Sequence, residues 1–553
     1  MKKFLNKSII LIIGILAINL LVSKSNIKWD LTADKHFTLS KATQKIIKKI
    51  DKPVKIIVFL EGEFPAYFKR LHNETKNFLS DIRDLNPKID FVFINPLKKG
   101  DVYVQNLIKK GLQASQISVK KSGKVEQILV FPWAVIQQGE QEIPVSLLTQ
   151  SFSRSTEEQI QKSIDNLEYA FTKNLDLIQN RKNKKIAILK GNGELDDIHL
   201  ADFLRTLGKK YRLAPFTLDS VQTMPAKTLE ELKNFDLAIL PKPTEKFSEK
   251  EKYILDQYLM NGGKMLMLID AVKAHKDTLM YHGKTYALNA ELNLTDFLFN
   301  YGVRIQPKLI KDIVAAPVVL KVGQTGNKPQ LEQFPWFYSP LIHPEQNHPI
   351  GKNVDMLVMD FVSPMDTLKN QAKKTILLKT SPKTELIGVP VEINFNEIGK
   401  KPDLKKYIAG QQIVGVLLEG KFNSAYKGRV HPVKLNKHID QNQTALIVIS
   451  DGDIIRNQTD KNRPLELGYD KWSKIKYDNK KFLQNAVDYL LDHSGVINLK
   501  NRERKLLFLD KNKIISDLGF WQIINTIVPL LILFGLIFGF NFYRKKKYGK
   551  QNF

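Results

Sequence analysis

The sequence predicts an α/β protein with two extracytoplasmic domains and one transmembrane helix at each end. Amphipathic helices alternate with short apolar strands from about residue 54 onward, a pattern typical of α/β folds. Several strands, such as Met265–Ile269, contain only apolar residues, as strands buried on both faces of a parallel sheet do. The predicted segments are residues 1–24, 25–180, 181–515, 518–543 and 544–553: an anchor, two domains, a second anchor and a basic tail.

The two terminal apolar segments set the expected topology. Ile9–Val22 follows a lysine-rich start, and the uncharged segment Leu518–Tyr543 precedes Arg544–Lys547. A spanning helix needs about 20 apolar residues, and basic residues accumulate on its cytoplasmic side. We therefore expect both ends inside and the roughly 490 residues between the basic flanks outside the cytoplasm. The first segment is also short enough for a cleavable signal peptide, which would leave only the second anchor.

Composition excludes several functional classes. No cysteine occurs among the 553 residues, which excludes disulfides, thiol catalysis and thiolate metal sites. The formal charge of +28 suggests nucleic acid as a possible partner. Only 13 of the 85 basic residues are arginine, the side chain that reads phosphates and base edges in bidentate fashion. We therefore predict no nucleic-acid partner and interpret the charge as a solvated surface, with attraction to anionic lipid or polysaccharide as the alternative.

The first predicted domain opens with a β-α-β unit. A strand at Val54–Leu60 and a strand at Ile89–Ile94 enclose a helix that begins near Pro65. There follow a short helix from Asp101, three short strands around Ile117–Val119, Gln127–Val130 and Ala134–Gln137, and a helix from the capping box Ser155–Glu158 to about Ile178. This order is reminiscent of a thioredoxin-like fold, although a chain without cysteine cannot perform its redox chemistry.

The second predicted domain is a doubly wound α/β unit with a long insertion. Its strands are predicted at Lys185–Leu189, Arg212–Leu218, Asp236–Leu240, Met265–Ile269, Ile413–Leu418 and Ala445–Ile449, and its helices at Asp197–Lys210, Ser248–Met260 and Lys480–Leu491. The pattern loosens after Asp270, where the aromatic segment Phe334–Pro340 predicts either an exposed partner-binding patch or a buried tether.

Polar clusters follow three of these strands. They are Gly191-Asn192-Gly193-Glu194, Asp270, and Ser450–Asp453 with Asp451 and Asp453. Ligands of open parallel sheets bind beyond the carboxyl ends of the strands, so the clusters could form a cleft for a cation or a polar ligand. The alternative is that these residues only make turns and helix caps.

Motifs of catalysis and metal binding are absent from the sequence. There is no Gly-x-Ser-x-Gly, no His-Glu-x-x-His and no Gly-x-x-x-x-Gly-Lys-[Ser/Thr]. We therefore predict neither an enzyme nor a metal or cofactor site. In the second anchor, Gly535 and Gly539 have the small-x-x-x-small spacing that lets membrane helices approach closely, with lipid-facing glycine as the alternative.

A family resemblance covers essentially the whole chain. Its motifs begin with Trp29–Thr32 and Phe37–Ser40, an entry that looks like the "D-L-T … T-L-S" of ABC-transporter auxiliary proteins. Lys190–Glu194 is similar to their Gly-His-Gly-Glu loop, with Asn192 in place of the usual histidine. Further motifs are Leu377–Ser381, Leu417–Phe422, Ser450–Asn457, Asn479–Ala486, Leu509–Lys511, Trp521-Gln522 and Tyr543–Tyr548. In this order they resemble the GldG-like family of gliding-motility proteins of Bacteroidetes.

The resemblance implies a transport subunit of the inner membrane with its bulk in the periplasm. Proteins of this family are thought to act with a separate permease and a separate cytoplasmic ATPase, as a substrate-binding or auxiliary component. Their ectodomain is related to a domain of intraflagellar-transport proteins that serves protein contacts. Two rival functions remain: a structural partner of the gliding or secretion apparatus with no transported ligand, and a hydrolase that uses Asp270, Asp451 and Asp453.

Overall fold

The computed structural model describes residues 38–121, 124–149, 155–179, 183–326, 328–492, 494–501 and 516–548. Residues 39–502 form one compact unit, and the C-terminal helix belongs to a second unit, which is described by itself. This unit contains residues 39–180 of the first predicted domain and residues 181–502 of the second. The predicted N-terminal anchor, residues 1–24, lies outside the described residues, and the boundary near residue 180 stays a prediction.

The described part of the N-terminal region, residues 39–179, contains four α-helices and six strands. They are α1 (Lys41–Lys48), β1 (Val54–Val58), α2 (Ala66–Leu85), β2 (Ile89–Phe93), α3 (Asp101–Lys109), β3 (Ser115–Lys121), β4 (Lys124–Val130), β5 (Trp133–Gln138), β6 (Gln141–Ser146) and α4 (Thr156–Gln179). The strand order is β2-β1-β5-β6, with β1 and β2 parallel and the other two pairs antiparallel. The long helices α2 and α4 bury one apolar face each in the same core, because their apolar residues recur at helical spacing.

The main-sheet region, residues 183–501, is built on five parallel strands. They are β7 (Lys185–Lys190), β8 (Arg212–Thr217), β9 (Leu237–Pro241), β10 (Lys264–Leu268) and, much later in the chain, β23 (Gln441–Ile449). Their spatial order is β8-β7-β9-β10-β23, the 2-1-3-4-5 order of doubly wound sheets. The strand order reverses between β7 and β9, so the switch point of the fold lies there.

Helices cover both faces of this sheet. Alternate residues of β7 point to opposite faces: Ile186 and Ile188 join one apolar core, whereas Ala187 and Leu189 join the other. The first core holds α5 (Asp197–Gly208) and α10 (Asn479–Leu491), and the second holds α6 (Pro225–Leu232) and α7 (Glu249–Met260). Ser248 and Glu251 form the predicted capping box of α7.

The predicted insertion is itself largely β-structure. It contains α8 (Lys276–His282), α9 (Thr295–Tyr301) and the strands β11 (Val272–Lys273), β12 (Lys284–Asn289), β13 (Val303–Ile305), β14 (Lys308–Asp312), β15 (Ala315–Thr325), β16 (Lys328–Pro344), β17 (Leu357–Val358), β18 (Met365–Thr367), β19 (Lys373–Lys379), β20 (Thr384–Gly388) and β21 (Val391–Asn394). β22 (Ile413–Asn423) returns to the main sheet, antiparallel to β23, and β19, β16 and β15 extend the sheet beyond it. The short pair β24 (Thr459–Asp460) and β25 (Arg463–Pro464) follows.

The aromatic segment Phe334–Pro340 lies inside β16 rather than in a loop. Trp336 and Tyr338 are buried in a small core of the insertion, in agreement with the buried alternative of the prediction. Periodicity did not predict this strand, because its four prolines interrupt the usual strand pattern. The β15–β16 ladder shifts its register between Ala315 and Pro317 and between Lys321 and Gly323, and so skips Ala316 and Val322.

One helix among the described residues is long and apolar enough to cross a membrane. This is α11, Leu518–Tyr548, whose apolar stretch fits a membrane anchor and which extends through the predicted basic flank. It therefore runs five residues beyond the predicted end at Tyr543. Gly535 and Gly539 have no neighbour within 4 Å of an added Cβ, so both positions are open on the helix surface.

Candidate functional site

The loops that follow β7, β9, β10 and β23 meet at the carboxyl edge of the parallel sheet. Because all four strands run in the same direction, these loops converge beside the switch point of the fold. The sequence prediction named the loops after β7, β10 and β23. The structure adds the loop after β9, which contains Lys242.

Lys242 lies at the centre of the predicted carboxylates. Its ammonium is 2.5 Å from Oδ2 of Asp453 and 3.3 Å from Oδ2 of Asp270. The amide of Gly452 donates to Oδ1 of Asp270 at 2.5 Å, which fixes the loop after β23 against the end of β10. All three side chains of these ion pairs are largely buried, with 9% of Lys242, 14% of Asp270 and 13% of Asp453 exposed. An ammonium thus occupies the position where the sequence suggested room for a cation.

Asp451 lies deeper and fixes backbone rather than binding a cation. Its Oδ1 accepts the amide of Asp453 at 2.7 Å, and its Oδ2 accepts the amide of Asp360, in the insertion, at 3.1 Å. The side chain is fully buried. Burial, together with the negative charges of Asp270 and Asp453, raises the pKa of Asp451 well above its usual range.

The other two carboxylates differ in their protonation preference. Burial raises the pKa of Asp270 despite the nearby ammonium of Lys242. Burial acts in the same direction on Asp453, but Lys242 and Arg456 outweigh it and hold the pKa of Asp453 below its usual range. Asp453 is therefore the main anionic partner of Lys242.

The rim of the cluster contains two further ion pairs. The Lys276 ammonium binds both oxygens of Asp360, at 2.7 and 2.8 Å. Arg456 donates to Asp277 at 2.7 Å, and its other terminal nitrogen lies 3.8 Å from Oδ1 of Asp453. The sheet edge is thus an alternating network of charges that links the insertion to the strands.

The glycine-containing loop after β7 packs on the segment that contains Lys242. The amides of Thr244 and Glu245 both donate to the carbonyl of Asn192 at 2.9 Å. Gly193 has φ +69°, and a Cβ there would lie 2.2 Å from Oγ1 of Thr244, so only glycine fits this approach. The carboxylate of Glu194 accepts the amide of Asn192 at 2.8 Å through one oxygen.

Gly191 of the same loop has φ +113°, which again favours glycine. Burial raises the pKa of Glu194, and its Oε1 is buried without a hydrogen-bond partner among the described residues. The four predicted loop residues therefore join the carboxylate cluster through residues 242–245.

Lys242 was not predicted as a site residue, although its place in the sequence carries one signal. Lys242 stands between Pro241 and Pro243 directly after a buried strand, the same type of position as Asp270 and Ser450. Its φ of +56° is uncommon for a residue with a side chain and especially before proline, where the extended region is favoured. Such a backbone conformation persists only where the surrounding contacts hold it, and it is common at functional sites.

A cavity of about 400 Å³ lies beside Asp270. Its walls come from the end of β10, from the loop before α9 and from the segment after β13, including Asn289, Leu298 and Gln306. This volume and mixed apolar and polar lining are within the range of small-molecule sites. Within the described parts of the chain, no group of three or more histidines, aspartates or glutamates is arranged to hold a metal ion.

Both regions of the molecule match known protein families. The family described as "ABC-type uncharacterized transport system" matches residues 183–486, which include the parallel sheet, the insertion and the charged cluster. The chain belongs to this ABC-transport family. A domain of unknown function matches residues 33–137 in the N-terminal region.

Similar proteins carry no further functional description. A protein of Borreliella burgdorferi named only "Uncharacterized protein" is 22% identical over 538 residues, with 94% of each chain covered. The solved mmIFT52 N-terminal domain aligns with 56% of this chain and 97% of its own, at 14% identity and a TM-score of 0.31. A likeness at that TM-score carries no weight for fold or function.

Proposed function

We propose that this protein is a non-catalytic, membrane-anchored auxiliary subunit of an ABC transporter, with residues 39–502 in the periplasm. One observation carries the proposal: the ABC-transport family match spans the main-sheet region of a chain that also has a helix fit to cross a membrane. The family is one of transport systems, and no nucleotide-binding loop of the Gly-x-x-x-x-Gly-Lys-[Ser/Thr] type occurs in the sequence. Energy for transport would then come from a separate ATPase through a separate permease.

Co-purification tests this partner set. We expect the full chain, extracted in mild detergent, to bring down a permease and an ATPase and to hydrolyse no ATP after these partners are removed. The matched variant replaces Gly535 and Gly539 with leucine, which closes the small-residue face that would let another helix approach. Replacing Leu531 and Leu533 with isoleucine is the control. Intrinsic ATP hydrolysis by the pure chain, or recovery of no transporter subunit, would contradict the proposal.

The inner-membrane, two-pass topology is a second part of the proposal. Its support is the basic flank after the apolar part of α11 and the lysines before residue 9, because basic residues favour the cytoplasmic side. Reporter fusions after Lys24 and after Asn501 are expected to report the periplasm, and a fusion after Phe553 the cytoplasm. A cytoplasmic report at Asn501 would contradict it.

A role in gliding motility rests on the family resemblance of the motifs alone. Deletion of the gene in a gliding host should abolish surface spreading, and the unaltered chain should restore it. Retention of spreading would leave the transport proposal in place and remove the gliding part.

A ligand role for the sheet edge is also proposed, for Gly191, Asn192, Gly193, Glu194, Asp270, Asp451 and Asp453. Two buried carboxylate oxygens there, Oε1 of Glu194 and Oδ1 of Asp453, have no hydrogen-bond partner among the described residues. Unpaired acceptors favour a ligand that offers hydrogen-bond donors. Glu194→Gln should lower the affinity for such a ligand without lowering the stability of the protein. Glu245→Gln, a nearby exposed change, should leave the affinity unchanged.

One observation favours the rival role of a scaffold with no ligand at this edge. Lys242 already neutralises the central carboxylates, and Asp451 is used entirely for backbone contacts. For the N-terminal region we propose a thioredoxin-like type, supported by its strand order β2-β1-β5-β6 and the directions of its strands. Without cysteine such a region would serve protein contacts. Normal surface spreading by the gliding host with Asp453→Asn together with Glu194→Gln would favour the scaffold.

A further inference from the structure

A second, larger cavity lies between the N-terminal region and the main-sheet region. Its volume is about 680 Å³, and its walls come from α1, α4, the start of β8 and the end of α10. Tyr211 and Asn183 precede β8 and β7, so this cavity is at the amino edge of the parallel sheet, opposite the Lys242 cluster. Its size is within the range of small-ligand sites.

Two cations of this cavity share one close anionic partner, Asp488. Lys173 of α4 and Lys210 approach the same oxygen of Asp488, at 2.5 and 3.3 Å. Tyr211 donates to the other oxygen of Asp488 at 2.7 Å. Lys500 lies nearby, with its ammonium 4.8 Å from the centre of the Tyr169 ring, and donates only to an amide oxygen, that of Asn485. One buried carboxylate thus serves two ammonium groups directly, while a third has a neutral partner.

Two other groups on the wall have donor hydrogens for which no described residue offers an acceptor. Nε2 of Gln179 is buried without a hydrogen bond to any described residue, and the buried Tyr169 hydroxyl, which the Lys173 ammonium approaches as a donor, keeps its own hydrogen for an acceptor. Tyr169 is 6% exposed, and the Lys173 ammonium next to it lies 5.3 Å from the ring centre and donates to Asp488. Burial raises the pKa of Tyr169 to about 12, so its hydroxyl keeps its proton at neutral pH.

Three further acids line the cavity, namely Asp51, Asp176 and Asp492, and Asp51 is exposed to solvent. Asp492 accepts the amides of Ser494, Gly495 and Ile497, so its oxygens are used by a turn. Lys184 on the opposite wall pairs with Asp236 at 2.7 Å. Buried donors without acceptors are rare in folded proteins, and a bound anion is one standard explanation.

We propose that this interdomain cavity binds a phosphate group through Lys173, Lys210, Tyr169 and Gln179. The wall offers hydrogen-bond donors and positive charge. A phosphate offers the complement, acceptor oxygens and negative charge. The surplus cations are lysines, which bind phosphate as point charges without a fixed bidentate geometry. This phosphate site is independent of the proposed transport role, because it contains no residue of the sheet-edge cluster or of α11.

The first experiment titrates inorganic phosphate into the full chain in mild detergent at pH 7.5 and fixed ionic strength. Phosphate should raise the melting temperature and bind, because a ligand of the native state stabilises it. Lys210→Gln should weaken binding at least about 10-fold, as loss of a charge-assisted hydrogen bond does. Lys209→Gln is the matched control, since Lys209 is the exposed neighbour and its loss changes the net charge equally. Equal affinities of the two variants, or no binding by the unaltered chain, would overturn the proposal.

A second variant covers the case in which Lys210→Gln does not fold. Tyr169→Phe removes a hydroxyl whose hydrogen has no acceptor among the described residues, and Lys173 keeps its ion pair with Asp488, so the melting temperature without phosphate should change little. Its phosphate affinity should nevertheless fall about 10-fold. Unchanged affinity in this variant would show that the hydroxyl does not contact the anion and would overturn the assignment.

Mixed micelles distinguish a lipid headgroup from a soluble phosphate ester as the natural ligand. Micelles doped with phosphatidic acid should compete with inorganic phosphate if a lipid headgroup is the natural ligand, and micelles doped with phosphatidylcholine should not. Competition by phosphatidic acid supports a headgroup, and its absence with intact phosphate binding supports a soluble phosphate ester.

Discussion

Lys242 is a single buried cation on which several anions depend. Replacing it with methionine keeps much of the side-chain volume but leaves Asp453 and Asp270 without their ammonium. We expect the free energy of unfolding to fall by about 3–5 kcal/mol at pH 7, as when one partner of a buried pair is lost. Lys246→Met, an exposed change in the same segment, should stay within about 0.5 kcal/mol. Chemical denaturation of both variants measures the difference.

The effect of this replacement should depend on pH in a defined direction. Because the folded-state pKa of Asp453 lies below its usual range, its pairing stabilises the protein above the unfolded pKa and is lost as the pH falls through the folded value. The gap between the unaltered chain and Lys242→Met should therefore shrink in acid. A gap of constant size from pH 7 to pH 3 would contradict the ion-pair explanation.

Lys210 should make phosphate binding sensitive to alkaline pH. Burial and the neighbouring Lys173 outweigh Asp488 and lower the pKa of Lys210 to about 8. The ammonium therefore discharges between pH 7.5 and 9.5, and phosphate affinity should fall over that interval. The charged or titratable groups that act on Lys210 or share its carboxylate are Lys173, Asp488, Tyr169, Tyr211 and Lys500.

The free energy of unfolding should rise over the same pH interval in which the phosphate affinity falls. The unfolded state keeps the Lys210 proton up to its ordinary pKa, so between about pH 8 and that value it binds more protons than the folded state. The unliganded chain should therefore gain stability relative to Lys210→Gln between pH 7.5 and 9.5. A pH-independent difference between the two would contradict this assignment.

At the scale of elements, the loop after β23 tests how tightly the charged edge is packed. A Cβ on Gly452 would lie 2.5 Å from Cγ and 3.0 Å from Cα of Lys242. Gly452→Ala should therefore displace Lys242 and the loop that follows β9. The free energy of unfolding should fall by about 1–3 kcal/mol, a typical overpacking cost. Gly388→Ala, where nothing lies within 4 Å, should be close to neutral. A neutral Gly452→Ala would mean that the two loops separate without cost.

Elements with strong local periodicity were predictable from the sequence, and those fixed by tertiary contacts were not. Helices α2, α7 and α10 and the apolar strands β9 and β10 lie within a few residues of their predicted positions. The capping box of α7 and the apolar runs are local signals. The strands of the insertion have no such signal, because proline, lysine and glutamine alternate with its apolar residues. Their pairing is set by partners far away in the chain.

The candidate site was predictable in part for a similar reason. The carboxyl ends of parallel strands meet at one edge, so Asp270, Asp451 and Asp453 could be placed together from the sequence. Lys242 and Asp360 could not, because their position depends on a left-handed backbone at residue 242 and on the path of the insertion. The interdomain cavity was not predictable at all, since its walls come from elements more than 300 residues apart in the chain.

At the scale of the whole molecule, the ion pair between Lys173 and Asp488 joins the N-terminal region to the main-sheet region. Lys173 lies in α4 and Asp488 in α10, and their side chains are 24% and 8% exposed. A double-mutant cycle of Lys173→Met and Asp488→Leu should give a coupling energy of about 1–3 kcal/mol. The exposed pair Lys110 and Glu142, both within the N-terminal region, is the control and should give below about 1 kcal/mol. Equal coupling in the two cycles would mean that the buried pair does not join the regions.

The late position of β23 has a consequence for folding. β10 pairs with β23, and paired residues such as Met265 and Leu446 are 181 positions apart in the chain. Until β23 has been synthesised, the partly formed sheet has an open edge at β10, a strand with four buried apolar residues. Unpaired apolar edges favour wrong association, and contacts between distant residues slow folding. The nascent chain should therefore pass through a long aggregation-prone interval, so its yield should depend more strongly on chaperones and on expression rate than its final stability suggests.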